Sequence, residues 1–370
     1  MTRRIAICAG GTAGHVLPAV TIANEYRRRH GDVDVMFIGS QRGFEGEIVP
    51  AAGFRLATVA AAPWLRVGWL GKARALASMA AGAIEARRLL ATAGSELVIG
   101  FGGYASAGAV LAARSLGLPI VLHEPNAQPG LTQRRLAPLA DRIHLGFEQA
   151  RRHFAAERTR VTGTPVRREL FTIGAERQPP TESRPAQLLI TGGSLGDHFL
   201  NHHVPPLLAR LVREGARLEV RHQTGLSEME PVVEAYRSAD IPAEVVAFIE
   251  DMPDAYRRAD LAISCGGAIT LAELSAAALP CLIVPLTEAS EDHQSANAEA
   301  FAAVTGAHIL RPRDWQDERA TEALSELLRD RQAWARAAAA LKGFARRDAA
   351  EAIVDDCESL LDRPSDQRRT

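Results

Sequence analysis

The feature that most constrains the fold is a short apolar segment followed by glycines, which occurs near the start of each half of the chain. Residues 5–9 precede Gly10-Gly11-Thr12-Ala13-Gly14-His15, and residues 188–191 precede a second glycine-rich turn at 192–196. Glycines after a buried strand let backbone N–H groups approach a ligand at the edge of a parallel sheet. Each half therefore predicts a strand, a glycine-rich turn and a helix, as in doubly wound α/β domains.

Short apolar segments continue to alternate with longer amphipathic ones, which is typical of a parallel α/β sheet. The predicted strands are 5–9, 33–39, 97–101, 120–123 and 143–145, followed by 188–191, 218–223, 245–248, 261–264 and 281–285. Helices are predicted over 15–29 and over the alanine- and arginine-rich stretch 319–361.

A chain of 370 residues predicts two domains. The stretch 174–187 is polar and proline-rich, which indicates a break between them. We expect a first domain at 1–165, a linker at 166–187 and a second domain at 188–345. Residues 346–370 are expected to form a C-terminal helix, packed back on the first domain, with a frayed tail.

Composition excludes several classes of protein. The 43 basic and 44 acidic residues balance, which argues against a nucleic-acid partner. Lys72 and Lys342 are the two lysines and neither precedes Ser or Thr, so a P-loop is absent. The four cysteines are too scattered for a disulfide framework. No signal-peptide core follows the N-terminus, and the uncharged stretch 97–113 is short for a membrane span. We therefore expect a cytoplasmic protein.

The glycine turns offer candidate sites, each with a purely structural alternative. Residues Gly39-Ser40 follow the second strand where a dinucleotide site needs a carboxylate, so a nicotinamide enzyme is disfavoured. His15, at the start of a helix, is a candidate general base, although a lone histidine is more often structural. The turn at 264–270 leads to Glu273, which either binds ribose hydroxyls or only closes a Thr270–Glu273 capping box.

Two other strings suggest a metal and were rejected. Asp32-Val33-Asp34 lies between a helix and a strand, where a solvated turn is the simpler interpretation. His202-His203 are adjacent helical residues that point in different directions, and no matching carboxylate follows them in sequence.

Eight motifs occur in order along nearly the whole chain: 10–19 (GGTAGHVLPA), 100–108, 122–138 (LHEPNAQPGLTQRRLAP), 161–170, 191–196 (TGGSLG), 248–252, 266–274 (GGAITLAEL) and 291–298 (EDHQSANA). Together they resemble the MurG family, bacterial transferases that add N-acetylglucosamine to the undecaprenyl-linked muramyl-pentapeptide precursor of peptidoglycan. The resemblance implies an α/β GT-B fold, in which two Rossmann-like, doubly wound parallel-sheet domains face a central cleft.

The resemblance implies UDP-N-acetylglucosamine as the donor substrate, with no cofactor and no metal. The donor residues that it implies are Arg167, Ser194, Phe248, Ile249, Met252, Ala268, Ile269, Thr270, Glu273, Gln294 and Asn297. Phe248 and Ile249 would face the uracil, and Glu273 would bind the ribose. Arg167, Ser194 and the amides of 268–270 would hold the diphosphate, while Gln294 and Asn297 would contact the sugar.

The first domain would bind the lipid-linked acceptor. The implied acceptor residues are Thr12, Ala13, Gly14, Tyr104 and Asn126, with His15 or Glu124 as the catalytic base. The implied reaction is inverting: the acceptor C4 hydroxyl attacks the donor sugar and UDP leaves. The protein would lie on the inner face of the cell membrane, possible partners being other cell-wall synthesis proteins.

Four positions depart from the family pattern: Ala13, Pro125, Thr164 and Cys265. They leave open a family member that uses a different prenyl-phosphate or natural-product acceptor. A UDP-N-acetylglucosamine epimerase of the same fold is a second alternative, and a binding protein without activity is a third.

The stretch 63–90 interleaves apolar and basic residues and predicts contact with an anionic membrane surface. The residues expected to make this contact are Trp64, Leu65, Trp69 and Leu70. The alternative is an ordinary amphipathic helix packed on the sheet.

Overall fold

The computed structural model describes residues 3–31, 33–40, 43–62, 69–181, 183–193, 196–286 and 292–362, with the backbone alone for 69–73 and 104. The chain divides into two compact units. Unit 1 comprises Met1–Val166 and Asp348–Thr370, and unit 2 comprises Arg167–Arg347.

Within the described residues, unit 1 is built on a seven-stranded parallel sheet with the strand order β3-β2-β1-β4-β5-β6-β7. Its strands are β1 (Arg4–Cys8), β2 (Asp34–Gly39), β3 (Arg55–Thr58), β4 (Leu97–Gly100), β5 (Ile120–Glu124), β6 (Arg142–Leu145) and β7 (Thr159–Val161). Its helices up to this point are α1 (Ala13–His30), α2 (Glu45–Ala51), α3 (Trp69–Ala93), α4 (Gly103–Leu116) and α5 (Leu131–Leu136).

Unit 2 has a sheet of six parallel strands in the part of the chain that the structure describes, in the order β10-β9-β8-β11-β12-β13. The strands are β8 (Ala186–Thr191), β9 (Leu218–Gln223), β10 (Ala243–Val246), β11 (Leu261–Ser264), β12 (Cys281–Ile283) and β13 (His308–Ile309). The helices are α6 (Arg168–Glu176), α7 (His198–Arg213), α8 (Met229–Ser238), α9 (Met252–Arg258), α10 (Ala268–Ala276), α11 (His293–Thr305), α12 (Asp317–Arg329) and α13 (Arg331–Phe344).

The last helix, α14 (Ala349–Leu361), belongs to unit 1 and packs on α1. Its apolar face joins the buried core that contains Ile5 and Ile7 of β1. On its other side, the buried carboxylate of Asp356 lies 3.3 Å from His144 Nε2 and 3.2 Å from Arg160 Nη2. Burial alone would raise the pKa of Asp356, but His144 and the neighbouring arginines lower it overall. A charged group therefore helps to fix α14 against β6 and β7.

Each sheet reverses its strand order at one point, which is where ligands bind in open α/β folds. In unit 1 the reversal lies between β1 and β4, and in unit 2 it lies between β8 and β11. We call these the unit 1 and unit 2 switch points. In both, a glycine turn follows each of the two central strands.

All ten predicted strands are present, with bounds that agree within two residues. Three short edge strands, β3, β7 and β13, were not predicted, because two to four residues carry too little periodicity to be recognised.

The expectation of a linker at 166–187 was wrong for its first half. Residues 168–176 form α6, whose Leu170 and Ile173 are buried and which packs on α9 and α10 of unit 2. Beyond it, the buried guanidinium of Arg177 donates to the carbonyls of Tyr256, Ala259 and Ala277. Burial lowers the pKa of Arg177 to about 10. The segment after α6 is therefore attached to unit 2.

The helical stretch predicted over 319–361 is three helices, α12, α13 and α14. Asp330 ends the first and caps the second, because its carboxylate accepts hydrogen bonds from the amides of Gln332 and Ala333. Among the described residues, no helix combines the length and the apolar character that crossing a bilayer requires.

Candidate active site

His15 lies in the first turn of α1, directly after the glycine turn of β1, as do Ala13 and Gly14. The Thr12 hydroxyl lies 3.3 Å from His15 Nδ1, and the His15 amide donates to the Thr12 carbonyl. The imidazole is partly exposed. The ring is thus held through one nitrogen, which is the arrangement that fixes a histidine tautomer.

The second glycine turn of unit 1, at Gly102-Gly103, brings the backbone of β4 against His15. Both glycines have positive φ, 92° and 81°. A Cβ on Gly103 would lie 2.7 Å from the Gly10 carbonyl, and one on Gly102 would lie 3.5 Å from His15 Nε2. The close approach of the two turns therefore depends on glycine at both positions. Tyr104 follows in α4, but its side chain lies outside the described part of the structure.

Glu124, the rival base, ends β5 and is buried. Its Oε1 accepts hydrogen bonds from the amide and the side chain of Asn126, both at 2.9 Å, and its Oε2 accepts one from the Gly130 amide at 3.2 Å. The carboxylate therefore organises the loop between β5 and α5. Asn126 takes part in this loop structure as well.

A carboxylate that the sequence analysis missed lies beside the first turn. Glu45 is fully buried at the start of α2, and it accepts hydrogen bonds from the amides of Gly11 and Ser40 at 3.0 and 2.7 Å. The Ser40 hydroxyl donates to it as well. No acidic residue follows β2 directly, yet the next helix, α2, supplies a carboxylate to this turn. The Glu45 carboxylate thus binds backbone and side-chain groups of the protein itself.

Two of the four departures from the family pattern are neighbours. A Cβ on Gly146 would lie 2.5 Å from the Pro125 carbonyl and 2.6 Å from Thr164 Oγ1. Pro125 and Thr164 therefore both border Gly146 in unit 1. The two departures from the family pattern thus alter one and the same place in the structure.

At the unit 2 switch point, the turns after β8 and β11 lie side by side. A Cβ on Gly193 would be 3.8 Å from the Cys265 sulfur. The Gly193 carbonyl accepts a hydrogen bond from the side chain of Gln223, at the end of β9. Ser194, expected to bind the diphosphate, lies outside the described residues.

The first turn of α10 presents backbone amides. Gly267 is the N-cap, and the first intrahelical bond runs from Leu271 N to the Gly267 carbonyl, so the amides of 268–270 precede the hydrogen-bonded ladder. Such an N-terminus attracts an anion. The Cys265 thiol lies beneath it: burial raises its pKa, opposed by hydrogen bonds to Gly267 and Thr270.

Glu273 does not close a capping box, and that alternative was wrong. A capping box would need Thr270 at the N-cap position, but the N-cap of α10 is Gly267 and Thr270 lies inside the helix. Instead, Glu273 Oε1 accepts a hydrogen bond from Arg167 Nη2 at 3.0 Å, and Oε2 accepts one from the Tyr256 hydroxyl at 3.1 Å. Arg167 Nε is buried and has no hydrogen-bond partner among the residues that the structure describes. Tyr256, which the sequence analysis missed, is fully buried.

The residues expected near the uracil lie between β10 and α9. Phe248 is 49% exposed and Ile249 is 1% exposed, so Phe248 is the one with a ring free to stack. The Ile249 amide donates to Gln223 Oε1 at 3.2 Å. The Ile249 N–H is therefore already used within the protein. Met252 begins α9.

Gln294 and Asn297, the residues expected to contact the sugar, form hydrogen bonds to nearby loop backbone in this structure. Gln294 Oε1 accepts hydrogen bonds from the amides of Gly266 and Leu286, both at 3.0 Å. Asn297 is 1% exposed and donates to the Gly266 carbonyl. A sugar contact thus falls more readily to Gln294, through its amide nitrogen.

The sequence shows no matching carboxylate after His202-His203, yet the structure brings one to His202. Glu228 is remote in sequence but adjacent in space: its Oε1 lies 2.5 Å from His198 Nδ1 and 3.5 Å from His202 Nε2. By contrast, Asp34 of the rejected Asp32-Val33-Asp34 string pairs with Arg55 of the neighbouring strand, and Asp32 lies outside the described residues.

Two doubly wound units, each with paired glycine turns at its switch point, are the architecture of the GT-B fold, which glycosyltransferases share with some UDP-sugar epimerases. Comparison with known families agrees: the N-terminal domain of glycosyltransferase family 28 matches residues 5–145 and its C-terminal domain matches residues 187–353.

Similar proteins narrow the class. Two similar proteins carry the name UDP-N-acetylglucosamine--N-acetylmuramyl-(pentapeptide) pyrophosphoryl-undecaprenol N-acetylglucosamine transferase. The one from Pelobacter propionicus is 40% identical, and the alignment covers 95% of this chain and 98% of the relative. The one from Geobacter metallireducens is 37% identical, and the alignment covers 95% of this chain and 97% of the relative. The crystal structure of Acinetobacter baumannii MurG superposes on this chain with a TM-score of 0.76 and 28% sequence identity. The match covers 96% of this chain and 99% of the MurG chain. The chain belongs to glycosyltransferase family 28 and, within it, to the MurG family.

Proposed function

We propose that this protein transfers N-acetylglucosamine, with inversion, from UDP-N-acetylglucosamine to the C4 hydroxyl of muramyl-pentapeptide pyrophosphoryl-undecaprenol, the step from lipid I to lipid II in peptidoglycan biosynthesis. The observation that carries the proposal is 40% identity, over 95% of the chain, to a curated transferase of that name. The contacts at the two switch points fit the separate needs of donor and acceptor.

Donor binding is assigned to unit 2. The two carboxylate oxygens of Glu273 are each held by one donor, Arg167 on one side and Tyr256 on the other, which fixes the carboxylate plane. A carboxylate in this state still has lone pairs for two ribose hydroxyls. The amides at the start of α10 and the charge of Arg167 would bind the diphosphate and stabilise it as it leaves. Phe248, Ile249, Met252, Ser194, Gln294 and Asn297 complete the proposed donor set.

The proposed base is His15 in unit 1. To accept the proton of the acceptor hydroxyl at Nε2, the ring must carry its own proton on Nδ1. The Thr12 hydroxyl, 3.3 Å from Nδ1, is then the acceptor that selects this tautomer. Glu124 is the weaker candidate, since the loop amides already occupy both of its oxygens. Ala13, Gly14, Tyr104 and Asn126 are assigned to the acceptor.

Catalysis is proposed to need no metal. A helix N-terminus and an arginine provide positive charge where a divalent cation would otherwise neutralise the diphosphate. Turnover should therefore persist after treatment with EDTA. Loss of turnover that magnesium or manganese restores would contradict this.

Contact with a membrane is proposed for the segment 63–90. Trp64 and Leu65, and the side chains of Trp69 and Leu70, lie outside the described part of the structure. Further along α3, the side chains of Leu76 and Ile84 are 53% and 56% exposed among the described residues. Trp64, Leu65, Trp69 and Leu70 would insert at the interface of an anionic bilayer on the cytoplasmic side. The double variant Trp64→Ala/Trp69→Ala should co-sediment less with anionic vesicles at low salt. Equal sedimentation of variant and wild type would contradict this role.

One assay tests the proposed reaction against its alternatives. The protein is incubated with labelled UDP-N-acetylglucosamine, with and without the lipid-linked muramyl-pentapeptide, and the products are identified. Label in the lipid supports the proposal. Epimerised UDP-sugar without acceptor would indicate an epimerase, and transfer only to another prenyl-phosphate or natural-product acceptor would indicate a relative with changed specificity.

A further inference from the structure

A cluster of two histidines and a carboxylate lies on unit 2, outside the donor residues. His198 and His202 are one turn apart on α7, so they lie on the same face of the helix, and their ring centroids are 4.2 Å apart. Glu228, immediately before α8, completes the group. One ligand atom from each of the three residues lies within 4.8 Å of the other two.

The carboxylate is held in place from behind. Asn201, which is 5% exposed, donates through Nδ2 to Glu228 Oε2 at 2.6 Å and to the Thr224 carbonyl at 2.9 Å. The other oxygen, Oε1, is the one that faces both histidines. An outer hydrogen bond that orients a carboxylate ligand is typical of protein metal sites.

A simple ion pair accounts for only part of this geometry. One imidazole is sufficient to pair with Glu228, and His198 already lies 2.5 Å from its Oε1. The second imidazole, with Nε2 3.5 Å from the same oxygen, gives a three-ligand set. Two imidazole nitrogens and one carboxylate oxygen, with further positions left to water, suit a borderline ion such as Zn²⁺. The side chains of His198 and His202 are 75% and 54% exposed, so an ion can reach them from solvent.

We propose that His198, His202 and Glu228 bind one divalent transition-metal ion of the zinc class. The ion would link α7 to the start of α8 and thereby stabilise unit 2, because a ligand that binds only the folded state raises its stability. It has no part in the transfer reaction. Retention of activity in EDTA and binding of zinc are thus separate results, and either can fail without the other.

The test uses the full chain without an affinity tag, stripped with EDTA and desalted. Equilibrium dialysis against Zn²⁺ should give one bound ion per chain that is lost when a ligand is removed, and thermal unfolding should shift upwards with Zn²⁺. His202→Gln and Glu228→Gln should each weaken binding by about tenfold or more.

His203→Gln is the matched control. His203 is the next residue on α7, but its ring stacks on Phe199 with a centroid separation of 3.9 Å, and its Nδ1 lies 2.9 Å from the Phe199 carbonyl, which can only accept a hydrogen bond. The control keeps all three ligands and should bind zinc as the wild type does. Circular dichroism identifies any variant that fails to fold, and His198→Gln then provides a third ligand variant. Binding that is unchanged in folded His202→Gln and Glu228→Gln, or no zinc bound by the wild type, would overturn the proposal.

Discussion

The two switch points occupy the same place in two similar sheets, yet they present different chemistry. In unit 1, the Gly11 amide is already bonded to the buried carboxylate of Glu45. In unit 2, the neutral side chain of Gln223 contacts the glycine turn, and the Cys265 thiol contacts the start of α10. A negative charge would therefore be repelled from the first turn and accommodated at the second. The fold is shared, and a few side chains make the two switch points chemically different: a buried carboxylate at one, and a neutral amide and a thiol at the other.

The largest expected effect comes from removing that histidine. His15→Ala should lower kcat by the ~10²- to 10⁴-fold typical of a general base, while the KM for UDP-N-acetylglucosamine stays nearly constant. Steady-state kinetics with saturating lipid acceptor measures both. Glu124→Gln is the companion variant. Should it lose turnover while His15→Ala keeps it, the two residues must exchange roles.

The next effect concerns the donor side. Glu273→Ala should raise the donor KM by about one to two orders of magnitude, because hydrogen bonds to a charged group contribute roughly 1.5–3 kcal/mol. It should also free the Arg167 guanidinium. Isothermal titration with UDP gives the same comparison without turnover. Unchanged donor affinity combined with a large loss of thermal stability would assign Glu273 a structural role only.

Glu45→Gln tests whether the carboxylate in unit 1 is structural. The substitution keeps the shape of the side chain but replaces one carboxylate oxygen, which accepts a hydrogen bond from Gly11 or Ser40, with an amide nitrogen that cannot accept. We expect the free energy of unfolding to fall by about 1–3 kcal/mol. Urea denaturation measures this cost. Donor KM should not change. A strong effect on donor KM at normal stability would break the division of roles between the switch points.

The smallest effect is expected from Tyr256→Phe. Loss of one neutral hydroxyl donor to Glu273 corresponds to about 0.5–1.5 kcal/mol, which is roughly a two- to tenfold rise in donor KM with kcat preserved. Burial and the adjacent Glu273 hold the pKa of Tyr256 well above its usual range, so this donor is present throughout the working pH range. A fall in kcat at constant KM would show that Tyr256 acts elsewhere.

The sequence predicted those parts of the molecule that are local along the chain. A buried strand, its glycine turn and its helix lie within about 25 residues of one another, so periodicity and turn chemistry identify them together. The positions of His15 and of the α10 amides followed from this. The turn at 264–270 indicated Glu273, and the family resemblance added Arg167, which contacts Glu273 from 106 positions away.

Other parts had no local signal. Glu45 opens an ordinary surface helix, and nothing in its neighbours indicates that its carboxylate reaches Gly11. Gln223 and Glu228 bind groups 30 residues before them, which only the pairing of β8 with β9 brings close. The contact between Glu228 and His202 therefore could not be predicted, since the two residues are distant in sequence and close only in space.

The return of α14 to unit 1 has a consequence for biosynthesis. Its residues Ile353, Val354 and Cys357 are part of the core formed by β1 and α1, and Asp362 pairs with Arg3 at 2.7 Å. During translation, the part of this core that α14 supplies is therefore missing until the whole of unit 2 has been synthesised. Unit 2 is a single continuous stretch of chain and can fold first. The half of the protein that is made first is thus the half that is finished last.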